Sequence, residues 1–357
     1  MYFRLAPPHS EGASSSSLDV TEQPIPQQPM LDPIAQRAEV EMFQQQVASL
    51  SMELAAQKER LSFSSVAHDD ALVNHLTGLP SANMFYILFR FCSYFPIAYY
   101  YSWNVDIITK EDQLFITLQK LRCGYTSDAL AWHYGVSSTT IRNIFLTWVH
   151  LLWEILFKGC MAKMPSREKN MTCLPSSFAV FNNCRVVLDC TEIRCAVPKQ
   201  FSHQTYTYSH YKHYHTHKVL IGVAPNGVIT YISDCYPGSI SDKAIVQDCG
   251  IVEQLVPGDM VLADKGFLIS DLLPAGVTLN IPPFLSSVQF TREQCILTRN
   301  IARARIHVER ANCRLKQFSI LDYIPQSYRD LSSKLVQVCG ALVNLQYPLI
   351  REIEDRL

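Results

Sequence analysis

A chain of 357 residues with 48 % hydrophobic and 18 % charged composition can bury a sizeable core, with room for two folded units and a tail. Its formal net charge of -1 offers no overall attraction for nucleic acid, so such a partner must be met by a local basic patch. Twelve scattered cysteines without a CxxC pair exclude a zinc finger and a small disulfide framework, and no secretory signal opens the chain, so an intracellular protein is expected.

Residues 1–33 are rich in Ser, Pro and Gln and are expected to form a disordered lead-in. Over 34–62, Val40, Phe43, Val47, Leu50, Leu54 and Leu61 alternate at three and four spacing with Gln57 at the one polar seam position. The pattern predicts a short coiled coil, and with it a homodimer, or a solitary amphipathic helix. In "MFYILFRFCSYFPIAYYYSW" the apolar run is broken by Arg90 and Pro96, so buried helices are expected rather than a membrane span.

A helical region is expected over 77–160. Thr109 with Asp112 resembles a capping box, and Leu114, Leu118 and Leu121 make a helical stripe ending near Gly124. Thr126 or Ser127 can cap a second helix that stops at Gly135, and Ser137 a third bearing Ile141, Phe145, Trp148 and Leu152. This is the grammar of a helix-turn-helix, which would set Ser138, Thr139, Arg142 and Asn143 toward a DNA groove; a plain three-helix packing unit has the same spacing.

From about residue 178 to 350 the pattern changes to strands and helices. "CRVVLDCTEIRCAV" reads as a strand with Asp189 inside it, and "KVLIGVAPNGVITYISDC" as two strands joined at Asn226-Gly227. A helix capped at Ser241, a strand ending at Asp264, a strand in "VTLNIPPF" and a last helix follow, which gives a mixed α/β sheet flanked by helices. Asp is depleted from strands, and a buried carboxylate must be paired, protonated or bound to metal, so Asp189 and Asp264 stand out.

In the last helix Ile301, Ala304, Val308, Ala311, Leu315 and Phe318 form a packing stripe with Glu309 at its edge. A surface bridge from Glu309 to Arg305 or Lys316 is the plain reading. Yet from Arg292 to Phe318 six arginines and Lys316 face only Glu293 and Glu309, a local charge of +5 that suits a phosphate backbone. Carboxylates on two strands and one helix would hold Mg²⁺ or Mn²⁺, and a pair of such ions can carry out phosphodiester hydrolysis. "HQTYTYSHYKHYHTHK" brings His203, His210, His213, His215 and His217 together. These could take zinc or copper, or belong to an aromatic and basic surface on which Lys212 and Lys218 touch DNA.

The ordered motifs "LDCTEI", "YSHYKHYHTHK", "YPGSISDK", "GDMVLADKGF", "IPPF" and "RIHVERANCRLKQF" resemble those of DDE superfamily endonucleases of the Harbinger-like, transposase-derived group, over Thr77 to Tyr323. The resemblance implies a ribonuclease-H-like fold in which Asp189, Asp264 and Glu309 are catalytic and hold Mg²⁺ or Mn²⁺. Glu192 and Asp242 would orient these ligands from behind, and Lys265, Arg305, Arg310, Arg314 and Lys316 would hold DNA. A nuclear protein follows, with the cytoplasm as a second location. The chain departs from the pattern at Lys265, where relatives often have arginine, and at Asn312-Cys313, which replaces an apolar residue and a glycine. No zinc-binding DNA-recognition module is visible in the N-terminal tail, so a separate recognition protein is expected. The competing function is a catalytically silent DNA-binding or adaptor protein that keeps the fold.

Overall fold

The computed structural model describes residues 33–59, 61–285 and 289–350, with the backbone alone for 33–36 and 54–59. The chain divides into one unit ending at Glu59 and another beginning at Arg60. The lead-in expected for 1–33 lies outside the described residues, apart from Pro33.

In the first unit, α1 runs Pro33–Glu59. Val40, Phe43, Val47 and Leu50 are each more than half exposed. The side chains of Leu54 and Gln57 lie outside the described set, and Leu61 falls beyond the helix, packed against the core of the second unit.

The second unit begins with α2 (Phe63–Val66), α3 (Asp70–Thr77) and α4 (Ala82–Ser93). Only α4 is helical in the aromatic run, and it buries one face: Phe85, Leu88 and Cys92 are inside while Tyr86, Ile87 and Phe91 are exposed. Residues 94–103 form no helix, because Pro96 lacks the N–H that a continuing helix would use and biases the residue before it away from helical geometry. No helix among the described residues is long and apolar enough to cross a membrane.

Then come α5 (Lys110–Cys123), α6 (Ser127–Tyr134) and α7 (Ser138–Leu152). Their starts are set by Thr109, Thr126 and Ser137, whose hydroxyls each accept a backbone N–H in the first turn. The first two end at Gly124 and Gly135, at φ 71° and 61°, a region glycine enters without the cost a side chain would bring. A π-helical turn, Trp153–Lys158, prolongs α7.

After α8 (Arg167–Met171) the chain enters the sheet through β1 (Cys184–Arg194), α9 (Phe201–Thr207), β2 (Tyr208–Ser209) and β3 (Tyr214–Val223). It continues through β4 (Ile229–Ile232), β5 (Tyr236–Pro237), α10 (Asp242–Asp248), β6 (Met260–Leu262) and β7 (Thr278–Asn280). Helices α11 (Arg292–Leu315) and α12 (Ser332–Val343) complete it. The strand order is β2-β3-β1-β6-β7, with β4 and β5 also pairing with β3. β1 is antiparallel to β3 and parallel to β6, which is parallel to β7. This is the mixed, helix-flanked sheet of a ribonuclease-H-like fold, preceded by a helix-turn-helix region.

Alternation along β1 divides the interior into two layers. Val187 and Ile193 join Val219, Ile221, Ala304, Val308, Leu335 and Leu342 under α11 and α12. Val186 and Leu188 join Leu220, Ile245, Val246, Val261 and Phe267 on the α10 side. The first layer is continuous with the core of α3, α5 and α7, so the helical region and the sheet share one interior. Trp153 Nε1 donates to Gln337 Oε1 of α12 at 2.6 Å, and Gln337 Nε2 reaches Asp234 Oδ1 beyond β4 at 3.1 Å. α12 lies so close to β4 that a Cβ at Gly340 would sit 2.0 Å from Ile232 Cδ1, so a side chain there would have to displace the end of Ile232.

Candidate active site

The parallel pairing of β1 with β6 aligns Val187 with Leu262. Asp189 and Asp264 each lie two residues further along, so the period of a strand carries both to the same face and level. Asp264 opens a turn in which the Phe267 N–H donates to its carbonyl at 3.0 Å, and its carboxylate is exposed. α11 packs Ile301, Ala304, Val308 and Ala311 into the layer on this face, which brings Arg305, Glu309 and Asn312 to the acids.

Arg305 joins the group. Its Nη1 stands 2.9 Å from Asp264 Oδ1 and its Nη2 3.5 Å from Glu309 Oε1, while its own side chain is only 15 % exposed. Glu309 thus does make the i,i+4 bridge that plain helix spacing predicts. With the cation N-terminal to the anion this is the weaker orientation of such a pair, and it leaves Glu309 60 % exposed. Asn312 Nδ2 donates to Asp189 Oδ2 at 2.7 Å. Burial, then the negative charge of Glu309, push the Asp189 carboxyl up to about 6, with Asp264 adding to the rise and Arg305 opposing it. Asp189 therefore senses the other two acids, and the positive charge near it is too small to offset them and its burial.

Hard oxygen donors in a shared negative potential fit Mg²⁺ or Mn²⁺ in chemistry and charge. Among the described residues no three His, Cys, Asp or Glu side chains are grouped closely enough to hold one ion, and Arg305 lies between Asp264 and Glu309 as the resident cation.

Other expected site residues lie elsewhere. Asp242 forms an ion pair with Lys218 at 2.8 Å, and its charge helps raise the Cys190 thiol, whose side chain leaves β1 on the face opposite Asp189. Glu192 accepts from Thr216 Oγ1 at 2.8 Å. Neither makes a hydrogen bond to the three acids among the described contacts. Lys212 sits 4.7 Å from the Tyr211 ring and Lys265 4.8 Å from the Phe284 ring. Arg314 donates to the carbonyls of Tyr347 and Pro348, while Arg310 and Lys316 are exposed.

In the helix-turn-helix, Thr139 and Arg142 are exposed at the start of α7, and Ser138 donates to Asp128. Asn143 is fully buried: its Nδ2 donates to the Trp103 carbonyl at 3.0 Å and its Oδ1 accepts the Tyr101 N–H at 3.1 Å. It secures the loop before α5 instead of facing outward. Of the histidines, His215 and His217 share β3, while His213 lies in the preceding turn at φ 59°. His215 Nδ1 bonds Thr207 Oγ1 at 2.9 Å, and burial lowers His217.

Asn312 stands out in the sequence only as a departure from the family pattern, and its contact with Asp189 is not foreseen there. The signal was its place three residues after Glu309, on the same side of a helix.

Residues 188–344, which contain Asp189, Asp264 and Glu309, match the family model described as DDE superfamily endonuclease. Residues 107–157 match the model described as helix-turn-helix of DDE superfamily endonuclease. No curated protein and no solved structure matches the chain. Two matches in their proper order, around a sheet whose strands bring two aspartates to one face beneath a helix bearing the glutamate, make the chain a member of the DDE superfamily endonuclease family.

Proposed function

We propose that this protein is a divalent-metal-dependent DNA endonuclease of transposase descent, with Asp189, Asp264 and Glu309 as its metal-holding acids. The observation that supports it most directly is the meeting of Asp264 and Glu309 at one guanidinium, with Asp189 within reach of the charge of both, inside the span matched to the endonuclease family. When bound, Mg²⁺ or Mn²⁺ would activate a water or 3′ hydroxyl and stabilise the leaving oxygen of an in-line displacement.

The chain's own residues have separable tasks. Asp189 must release its proton before it can act as a ligand, and the Asn312 amide orients its carboxylate through Oδ2. Arg305 holds Asp264 and Glu309 in place and offers positive charge to an incoming phosphate. Thr139 and Arg142 are the groups of α7 free to meet DNA. A DNA substrate implies a nuclear location, and α1 is the element through which we expect two copies to associate.

One experiment tests the reading: incubate the full chain with plasmid DNA and Mg²⁺ or Mn²⁺ beside Asp189→Ala, Asp264→Ala and Glu309→Ala. Each variant should lose at least about a hundredfold in cleavage rate, the scale expected when a group acting in the transition state is removed. Equal cleavage by parent and variants would end the assignment. The second reading, DNA binding without cutting, draws on Arg305 already bridging two of the acids. It predicts salt-dependent binding and no cleavage with any divalent ion.

A further inference from the structure

The arginines of α11 are not gathered at the acids. At about 100° per residue, Arg292, Arg299, Arg303, Arg310 and Arg314 fall within about 60° of one another around the helix axis, while Arg305 points about 140° away, on the side of Glu309 and Asn312. The spacing of seven, four, seven and four residues produces this straight alignment. Arg314 is engaged with the carbonyls of Tyr347 and Pro348. Arg292, Arg299, Arg303 and Arg310 are exposed, and among the described residues none of the four takes part in an ion pair.

Surface arginines usually occur among acids of opposite sign, and here none lies on the same strip: Glu293 and Glu309 each project about 100° or more to one side. Ile296 and Ile306, 49 % and 44 % exposed, are interleaved with the guanidinium groups. Toward the C-terminal end, Arg303, Ile306, His307 and Arg310 line a hollow of about 650 Å³, closed on its other side by Pro175, Ser177, Leu349 and Ile350. His307 is buried there, stacked on Phe178, with Nε2 2.9 Å from Ser177 Oγ.

We propose that this outer strip of α11 is a second nucleic-acid binding surface, one that follows a sugar–phosphate backbone along a face separate from the acids. From Arg292 to Arg310 it extends about 27 Å, with a cation every 6 to 10 Å or so. The planar guanidinium fork matches phosphate oxygens, and the isoleucines offer apolar contact to sugars. Nothing on the strip is arranged to read bases, so the binding is independent of sequence. The choice of nucleic acid over other polyanions rests on the reading of the chain as a DNA-acting protein; the surface itself does not depend on catalysis.

The test is fluorescence anisotropy of the full chain in EDTA, with labelled duplex DNA, single-stranded DNA and a poly-glutamate peptide, across a range of salt. The variants are a quadruple Arg292/Arg299/Arg303/Arg310→Gln, the matching quadruple →Lys, and Arg305→Gln. The Gln quadruple should bind duplex at least about tenfold more weakly near 0.1 M salt. The slope of log K against log salt should shrink by up to ~3.6 for duplex or ~2.8 for single strands, from ~0.9 or ~0.7 per phosphate contact. The Lys quadruple should keep most of the slope, and Arg305→Gln should lose no more than about one contact's worth. Thermal unfolding matched to the parent shows that the Gln quadruple is folded, and if it is not, Arg299→Gln with Arg303→Gln should reduce the slope by up to about half as much, ~1.8 for duplex. An unchanged slope, absence of DNA binding by the parent, or equal binding of poly-glutamate overturns the proposal. Because no divalent ion is present, failure here is distinct from failure of the cleavage assay.

Discussion

At the N-terminal ends of β1 and β6, Asp259 is fully buried between Arg185 and Arg167, at 3.2 and 3.6 Å. At the C-terminal ends of the same two strands, Asp189 and Asp264 share one arginine with Glu309, and only through Asp264 and Glu309 does that arginine make its ion pairs. One end sets two arginines against a single buried acid, with the exposed Glu168 also on Arg167, and the other sets one arginine against three acids. Asp259 also accepts the Val256 N–H at 3.0 Å, and Arg185 donates to the Met164 carbonyl at 3.3 Å, so the first end fastens the segment before β1 to the sheet. The lesson is that location in a strand pair does not tell a structural acid from a reactive one. The balance of charge around it does.

Asp259→Ala attacks the end where the acid is paired with two arginines and should have the largest effect. It leaves Arg185 buried without its carboxylate and should cost about 3–5 kcal/mol, read as a drop in the urea midpoint. A loss below about 1 kcal/mol would show that the two ends are equivalent after all.

Asp189→Asn attacks the other end and should have the opposite sign. The folded-state pKa of about 6 lies above the ordinary 3.8, so between those values the native state binds the extra proton and stability falls as pH rises. The substitution should remove that slope and stabilise the metal-free protein above pH 6, by something on the order of 1 kcal/mol, with no gain below pH 4. In the parent, Mn²⁺ affinity measured calorimetrically should rise with pH up to about 6 and then level off, because metal and proton compete for Asp189. Loss of stability in Asp189→Asn at neutral pH would refute the idea of a charge-starved site.

The smallest effect should come from Arg305→Gln. Arg305 lowers Asp189 without being its hydrogen-bond partner, so its removal should raise the Asp189 midpoint by less than the roughly one to three units of a contacting arginine. An NMR titration of the Asp189 carboxyl carbon would detect it, and a fall in the midpoint would contradict the arrangement.

Much of this was legible in the sequence where the cause is local. Thr109, Thr126 and Ser137 cap the helices they were expected to cap, since a hydroxyl three residues from an N–H needs no distant partner. The Asn226-Gly227 turn likewise joins β3 to β4, with Gly227 at φ 89°. The register of Val187 with Leu262 is different: about seventy-five residues separate the partners, and no spacing encodes it. Asp242 and Glu192 were expected behind the acids, but the position of a side chain across a sheet depends on parity and pairing, and theirs lead to Lys218 and Thr216. Along the chain the basic run of α11 is one patch, and only around the helix axis does it divide into an outer strip and Arg305 beside the acids. Asn143 looked like a groove-facing residue until the loop at 101–103 claimed both ends of its amide.

The shared interior of the helix-turn-helix and the sheet has a consequence for how DNA would be handled. α7 passes through its π-helical turn to reach α12, and Arg122 of α5 donates to the Gln317 carbonyl just beyond α11, at 3.1 Å. A reader tethered by a flexible linker could grip DNA at many distances from the blade. Were the helix-turn-helix to grip and the sheet to cut, as proposed, the two would share one interior, so the offset between the bound step and the cut step would be a fixed length, a ruler built into the fold.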